Sequence, residues 1–123
     1  MKKRVLDVGN CGPDHAAMRR LIESQFDATV IRAQNADDTL ALLRAEPCQL
    51  VLVNRKLDID HSDGLRVIQQ IKDDPDLQHV PVMMISNYAE HQQLAAQAGA
   101  VPGFGKLALG DPSTVELLRP FLG

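Results

Sequence analysis

Short apolar runs alternate with amphipathic segments about five times along the chain. The runs are Val5 to Val8, Thr29 to Ile31, Leu50 to Val53, Val82 to Ile85 and Val101 to Phe104. Leu50 to Val53 is unbroken and partly β-branched, which is typical of a strand that is buried on both faces. This alternation predicts βαβ units built around a parallel sheet.

The segments between the runs have apolar residues at helical spacing and recognisable ends. Asn35 is predicted to cap the second helix. The fourth helix is predicted over residues 88–98. The last helix has two start signals, because Asp111 stands before a proline and Ser113 with Glu116 matches a capping box.

Four of the runs are followed by small or polar residues, and none is followed directly by a carboxylate. The residues that follow are Gly9 and Asn10, then Asn54, Ser86 and Lys106. Because the carboxyl ends of parallel strands meet at one edge of a sheet, where open α/β folds place their sites, we expect these residues to lie together. Such a set can bind a ligand, but it is poorly equipped to hold a divalent cation or to accept a phosphoryl group.

Length and composition set limits on the fold and on partners. The 123 residues predict a single domain over 1–123, and the net charge of -3 argues against a nucleic-acid-binding surface. No apolar run approaches the ~18 residues that span a bilayer. Cys11 and Cys48 form neither a disulfide framework nor a metal-binding spacing, so we expect a reduced, cytoplasmic protein.

Three further blocks give the chain a family resemblance. They are Asp63-Gly64-Leu65 at the third helix, Pro81-Val82 before the fourth strand, and Ala98-Gly99-Ala100, whose glycine precedes Lys106 by seven residues. In this order, and over nearly the whole chain, they resemble the receiver domain of two-component response regulators. The resemblance implies a three-layer (βα)5 doubly wound parallel sheet of the flavodoxin-like receiver type, with strand order 2-1-3-4-5.

The resemblance also assigns roles to the strand ends, and three acidic positions are lost. In the family, a pair of acids after strand one helps to bind magnesium, and an aspartate after strand three accepts the phosphoryl group. Here the acid pair becomes Gly9 and Asn10, and the phosphoacceptor becomes Asn54. An amide oxygen is a poor nucleophile and a neutral ligand, so we predict neither phosphorylation at Asn54 nor magnesium at this position.

The positions that contact phosphate in the family are kept. They are Ser86 after strand four and Lys106 after strand five. The aromatic residue that reports activation in the family falls on Gly103, and the proline that follows the lysine is Leu107. Lys106 then lacks an obvious anionic partner among these positions, and we expect it to hydrogen-bond the Asn54 and Asn10 amide oxygens or to reach solvent.

An acidic loop is the main rival site. Asp58, Asp60, His61 and Asp63 follow the third run, and the simplest interpretation is a solvated loop in which Asp63 caps the third helix. The residues do not match a calcium-binding EF-hand loop. The alternative is a displaced metal site at Asp58, Asp60 and Asp63, or a phosphoacceptor in which Asp58 folds back toward Lys106.

The remaining polar residues give weaker signals. Lys56 lies where the family has a backbone carbonyl ligand, and its ammonium either fills the vacated cation space or, more simply, is solvated. Asp7 lies inside a predicted central strand, and we expect it to pair with Lys106 or Lys3, because an unpaired buried carboxylate is unfavourable. The four histidines are each expected at the surface. They are His15, His61, His79 and His91.

These patterns predict a degenerate receiver that acts in signalling without phosphotransfer, catalysis or a cofactor. Its partner would be a histidine kinase, an output domain or a second copy of the chain, with no nucleic-acid or membrane contact. The surface of the fourth helix, fifth strand and fifth helix, with Gly103 and Phe104, is expected to be fixed in one state. Two alternatives remain: a phosphoacceptor rewired to Asp58 or Asp60, and a small-ligand sensor at the strand edge. That edge is formed by Gly9, Asn54, Ser86 and Lys106.

Overall fold

The computed structural model describes residues 2–123 and has a parallel sheet at its centre. The strands are β1 (Lys3–Val8), β2 (Ala28–Ala33), β3 (Leu50–Asn54) and β4 (Val82–Ile85). Each pair of neighbouring strands is parallel, and the order across the sheet is β2-β1-β3-β4. The predicted parallel fold is confirmed, and so is the predicted order of these four strands.

Between residues 2 and 123, five helices alternate with the strands. They are α1 (Gly12–Gln25), α2 (Ala36–Ala45), α3 (Leu65–Asp73), α4 (Ala89–Gln97) and α5 (Pro112–Leu122). A 3-10 turn over Lys106–Ala108 precedes α5. Within residues 2–123, no helix is both long enough and apolar enough to cross a bilayer.

The two faces of the sheet bury two aliphatic clusters. One face packs against α1 and α5, and Leu52 of β3 lies in this cluster with Met18 and Leu118. The other face packs against α2, α3 and α4, with Val53 and Ile68 in its cluster. Because successive residues of a strand point to opposite faces, the unbroken apolar run of β3 supplies both layers.

Side-chain caps fix the starts of α2 and α5. Asn35 accepts a 2.8 Å hydrogen bond from a backbone N–H in the first turn of α2, as predicted. Asp111 accepts a 3.0 Å hydrogen bond from the Ser113 N–H, so the Asp111 start of α5 is confirmed. The predicted capping box of Ser113 and Glu116 is wrong, since Glu116 pairs with Arg119 at 3.0 Å.

The predicted fifth strand, Val101 to Phe104, does not form as a regular strand. The Val101 N–H donates to Val82 O at 2.9 Å, and the Ser86 N–H donates to Phe104 O at 3.0 Å. A single parallel bridge joins Phe104 to Ile85. The segment 101–104, here called the fifth segment, therefore lies beside β4. It contains one residue more than the stretch of β4 that it pairs with, so the ladder is interrupted as at a β-bulge.

A side chain of α4 replaces the missing backbone pairing. Gln92 Nε2 donates to Met84 O at 2.9 Å, and Gln92 Oε1 accepts from the Gly103 N–H at 3.1 Å. The amide thus bridges β4 and the fifth segment. A Cβ built on Gly103 would lie 2.3 Å from Met84 O, so this close approach requires glycine.

The central position of β3 gives a test of the core. Leu52 is fully buried, whereas Leu107 in the 3-10 turn is 88 % exposed. We expect Leu52→Ala to lower the free energy of unfolding by about 2–5 kcal/mol, because it leaves a cavity between β3 and the α1–α5 layer. The control Leu107→Ala should change it by less than about 0.5 kcal/mol. Urea unfolding followed by circular dichroism measures both, and equal losses would contradict this description of the core.

Candidate functional site

The predicted site residues at the carboxyl edge of the sheet line separate hollows. A cavity of about 250 Å³, here called the Ser86 cavity, has Asn54, Ser86 and Lys106 in its lining. Gly9 and Asn10 instead line a hollow of about 90 Å³. The predicted site residues all lie at this edge, but the structure divides them between two places.

Asn54 turns its amide toward the backbone beyond β3. Its Nδ2 donates a 2.6 Å hydrogen bond to the carbonyl oxygen of Lys56. Within residues 2–123, Lys106 does not make the predicted hydrogen bond to Asn54. The Lys56 side chain is exposed. The Lys56 carbonyl oxygen stands where the family has its backbone ligand, and here it accepts a hydrogen bond from the Asn54 amide.

The hydroxyl of Ser86 is engaged by α4. Ser86 Oγ lies 2.6 Å from His91 Nδ1, and it accepts a 3.2 Å hydrogen bond from the Tyr88 N–H. His91 also makes an edge contact with the Tyr88 ring, with centroids 5.2 Å apart. The sequence prediction treated His91 as an ordinary surface residue, but the side chain lines the Ser86 cavity beside the retained hydroxyl.

Lys106 has an acidic partner, contrary to the sequence prediction. Its Nζ lies 2.7 Å from Asp14 Oδ2, on the first turn of α1. The hydrogen bond from Lys106 lowers the pKa of the Asp14 carboxyl. Asp14 thus supplies a negative charge to Lys106 from α1, in place of the acids lost from the strand ends.

Asp7 is fully buried in β1 and is held by two polar side chains. Asn10 Nδ2 donates to Asp7 Oδ1, and His15 Nδ1 lies 2.7 Å from Asp7 Oδ2. The expected pairing with Lys106 or Lys3 is therefore wrong, and so is the surface position expected for His15, whose side chain is only 15 % exposed. Burial raises the pKa of the Asp7 carboxyl, although both neighbours oppose this shift.

The backbone excludes an acidic side chain at position 9. Gly9 has a φ of 81°, in the left-handed region that favours glycine. A Cβ built there would lie 2.3 Å from Leu57 Cδ2 and 3.1 Å from Leu57 Cα, and Leu57 is buried. Any L-residue with a side chain at this position would strain the turn and displace Leu57.

Position 10 disfavours an acid for an electrostatic reason. Asn10 is buried and uses its amide nitrogen to donate to Asp7. A carboxylate in its place would have no N–H to donate and would face the Asp7 carboxylate in a region shielded from water. The two positions that hold the family's acid pair are therefore occupied by residues on which the local structure depends.

The acids of the β3–α3 loop serve local structure. Asp60 accepts hydrogen bonds from the Ser62 hydroxyl and N–H, which lower the pKa of its carboxyl. Asp63 accepts the Leu65 N–H at 3.0 Å and so caps the first turn of α3, as predicted. Asp58 donates its own N–H to Gly9 O, and the fold-back of Asp58 toward Lys106 is not observed.

The donor set does not fit a divalent cation at the family position. Gly9 has no side-chain ligand, Asn10 is committed to Asp7, and Asn54 presents an N–H to the Lys56 carbonyl. Mg²⁺ prefers hard oxygen ligands that include one or two carboxylates. In the described part of the chain, 2–123, no three His, Cys, Asp or Glu side chains form a group that could hold a metal ion.

Comparisons with known proteins agree on one family. The model of the response regulator receiver domain matches residues 13–106. The polar-differentiation response regulator DivK of Brucella anthropi is 27 % identical over 124 residues, which cover all of this chain and 98 % of the relative.

Solved structures show the same fold at lower identity. A response regulator from Chloroflexus aurantiacus superposes with a TM-score of 0.85 at 14 % identity, covering 98 % of both chains. The chemotaxis protein CheY4 of Vibrio cholerae superposes with a TM-score of 0.81 at 15 % identity, covering 99 % of this chain and all of the other.

The buried carboxyl of Asp7 predicts a pH dependence of stability. Because burial raises its pKa, the folded state binds the proton more tightly than the unfolded state between the two pKa values. The contribution of Asp7 to the free energy of unfolding is therefore largest below the ordinary aspartate pKa of ~3.9 and falls as the pH rises through the raised value.

We expect the stability of the wild-type protein relative to Asp7→Asn to fall as the pH rises over the range that begins near the ordinary aspartate pKa, at about pH 4. Asparagine keeps the shape and still accepts from Asn10, but it does not titrate. Urea unfolding of both proteins across this range measures the difference. A difference that stays constant or grows with pH would contradict the assignment of Asp7 as a carboxyl with a raised pKa.

Proposed function

The chain belongs to the family of response regulator receiver domains of two-component signalling, and on that premise we propose that it is a receiver that does not accept a phosphoryl group and acts by binding a partner protein. The observation that carries the proposal is the environment of the former acid pair. Gly9 is held at a φ of 81°, and Asn10 is held as a donor to Asp7. Restoring the acids would require a different backbone and a different neighbour.

The chemistry at Asn54 supports the same proposal. Acyl phosphate formation needs a carboxylate oxygen as the nucleophile, and the Asn54 amide is neutral. Its nitrogen is also committed to the Lys56 carbonyl at 2.6 Å. Asp58 and Asp60 lie outside the lining of the Ser86 cavity, so a rewired phosphoacceptor in this loop would lack the retained contacts Ser86 and Lys106. We propose no catalytic activity for the domain.

The surface formed by α4 and the fifth segment is suited to a constant interaction. Gln92 holds α4 to both Met84 and Gly103, and Gly103 stands where the family has its switching aromatic residue. These two contacts of Gln92 are here called the clamp. Next to the clamp, Tyr88 is 62 % exposed, and Leu107 is 88 % exposed. A partner, whether a histidine kinase, an output domain or a second copy of this chain, would meet the same surface at all times.

Treatment with a small phosphodonor tests the loss of phosphotransfer. We expect the chain incubated with acetyl phosphate and Mg²⁺ to keep its intact mass, because neither the nucleophile nor the metal ligands are present. An acid-labile adduct of one phosphate would overturn the proposal. If an adduct forms, its loss in Asp58→Asn or in Asp60→Asn would assign it to the β3–α3 loop.

Hydrogen exchange tests the clamp. In Gln92→Ala the Gly103 N–H and Met84 O lose their bridging partner, so the Gly103 amide should exchange about tenfold faster or more. Gln93→Ala is the matched control, because Gln93 is exposed on the same helix and makes no side-chain hydrogen bond among residues 2–123. Equal exchange at Gly103 in both variants would show that Gln92 does not hold this surface.

A further inference from the structure

The lining of the Ser86 cavity is cationic although the chain as a whole is acidic. Arg55, Lys56 and Lys106 line it together with uncharged polar, aromatic and apolar residues, and no aspartate or glutamate is among them, whereas the net charge of the chain is -3. Positive side chains that converge on a hollow raise the local concentration of anions. The cavity is therefore a place where a negative ligand is favoured and a metal cation is not.

Two of these cations are not neutralised by neighbours. Arg55 and Lys56 are exposed, and neither belongs to the ion pairs formed within residues 2–123. Lys106 shares its charge with Asp14, which lies outside the cavity lining. At least two full positive charges thus remain for a ligand, and both stand within two residues of Asn54.

The donors present match a phosphate group. The Arg55 guanidinium offers a planar fork of N–H donors, and the ammonium groups of Lys56 and Lys106 act as point charges, a combination suited to a phosphate dianion. The Ser86 hydroxyl adds a donor that can rotate toward an anion in place of its contact with His91. A carboxylate has fewer oxygens and less charge with which to satisfy this set.

The size of the cavity indicates that the phosphate belongs to a larger molecule. Its volume of about 250 Å³ is many times the ~30 Å³ taken up by one water, so a phosphate group leaves space unfilled. Tyr88 is part of the lining and is 62 % exposed, which gives an organic substituent an aromatic surface to contact.

We propose that the Ser86 cavity is a non-covalent binding site for a phosphate monoester, held by Arg55, Lys56 and Lys106, with its organic part against Tyr88. The inference rests on the proposed function, because a receiver that formed an aspartyl phosphate would need this space for the reaction. It deepens that function by assigning a reversible ligand to the degenerate site. The occupancy of the site would then follow the concentration of a phosphorylated molecule.

Backbone amide NMR of the full chain tests the proposal, with inorganic phosphate and phenyl phosphate as probes and sodium chloride at matched ionic strength as the reference. We expect saturable shifts at Arg55, Ser86 and Tyr88, with tighter binding of phenyl phosphate. The double variant Arg55→Gln/Lys56→Gln should bind about tenfold more weakly or worse, since it loses two charge-assisted contacts. The charge-matched control Lys2→Gln/Arg20→Gln alters exposed residues outside the cavity and should stay within about twofold of wild type.

Four results bear on the outcome. Equal binding by the cavity variant and the control overturns the site, as does the lack of any saturable shift at the cavity at roughly 10 mM of either probe. Inorganic phosphate that binds as tightly as phenyl phosphate overturns the assignment to a monoester. Intact mass of the same samples separates the two proposals, because a covalent adduct overturns the proposed function, whereas loss of reversible binding without an adduct overturns only this inference.

Discussion

The buried carboxylate of Asp7 is the interaction on which the edge of the sheet depends. A charge in the middle of β1 is unfavourable unless hydrogen bonds compensate for lost water, and Asn10 and His15 provide them. These contacts bring the first turn of α1 against the end of β1. The same turn presents Asp14, which pairs with Lys106. The position of the retained lysine is thus set in part by a residue that lies outside the family's motif.

The loss of the acidic positions is built into the scaffold. Asn10 must donate to Asp7, and Gly9 must adopt a backbone conformation that a side chain would strain. Acidic side chains remain in this region, since Asp7 and Asp14 stand close to where the acid pair would be. The partners of these two acids are the side chains of His15 and Lys106. The charge of Lys106 is therefore balanced by Asp14, within the protein.

The sequence was sufficient for features that depend on local pattern. The four strands follow from short, mainly apolar runs, and the Asn35, Asp63 and Asp111 caps follow from residue type and position. It was insufficient where side chains distant in sequence meet.

Lys106 and Asp14 are 92 positions apart, and no periodicity links them. The sequence did contain a signal that His15 and Asp14 lie at the site. Polar residues in the first turn of a helix that follows a strand face the same edge of the sheet as the end of that strand. The absence of a regular fifth strand was harder to predict from the sequence, because it depends on the Gln92 side chain reaching across from α4.

Gln92 also determines what the open side of the sheet offers to other chains. An edge strand with free backbone groups is a template for strand addition, domain swapping and aggregation. In this protein, Gln92 occupies Met84 O on the outer side of β4, and the bulged fifth segment covers the remainder with only a few direct backbone bonds. A side-chain amide thus takes the place of a strand, and an incoming strand would first have to displace it. On this side the sheet therefore ends at β4 without an edge that recruits a strand from another molecule.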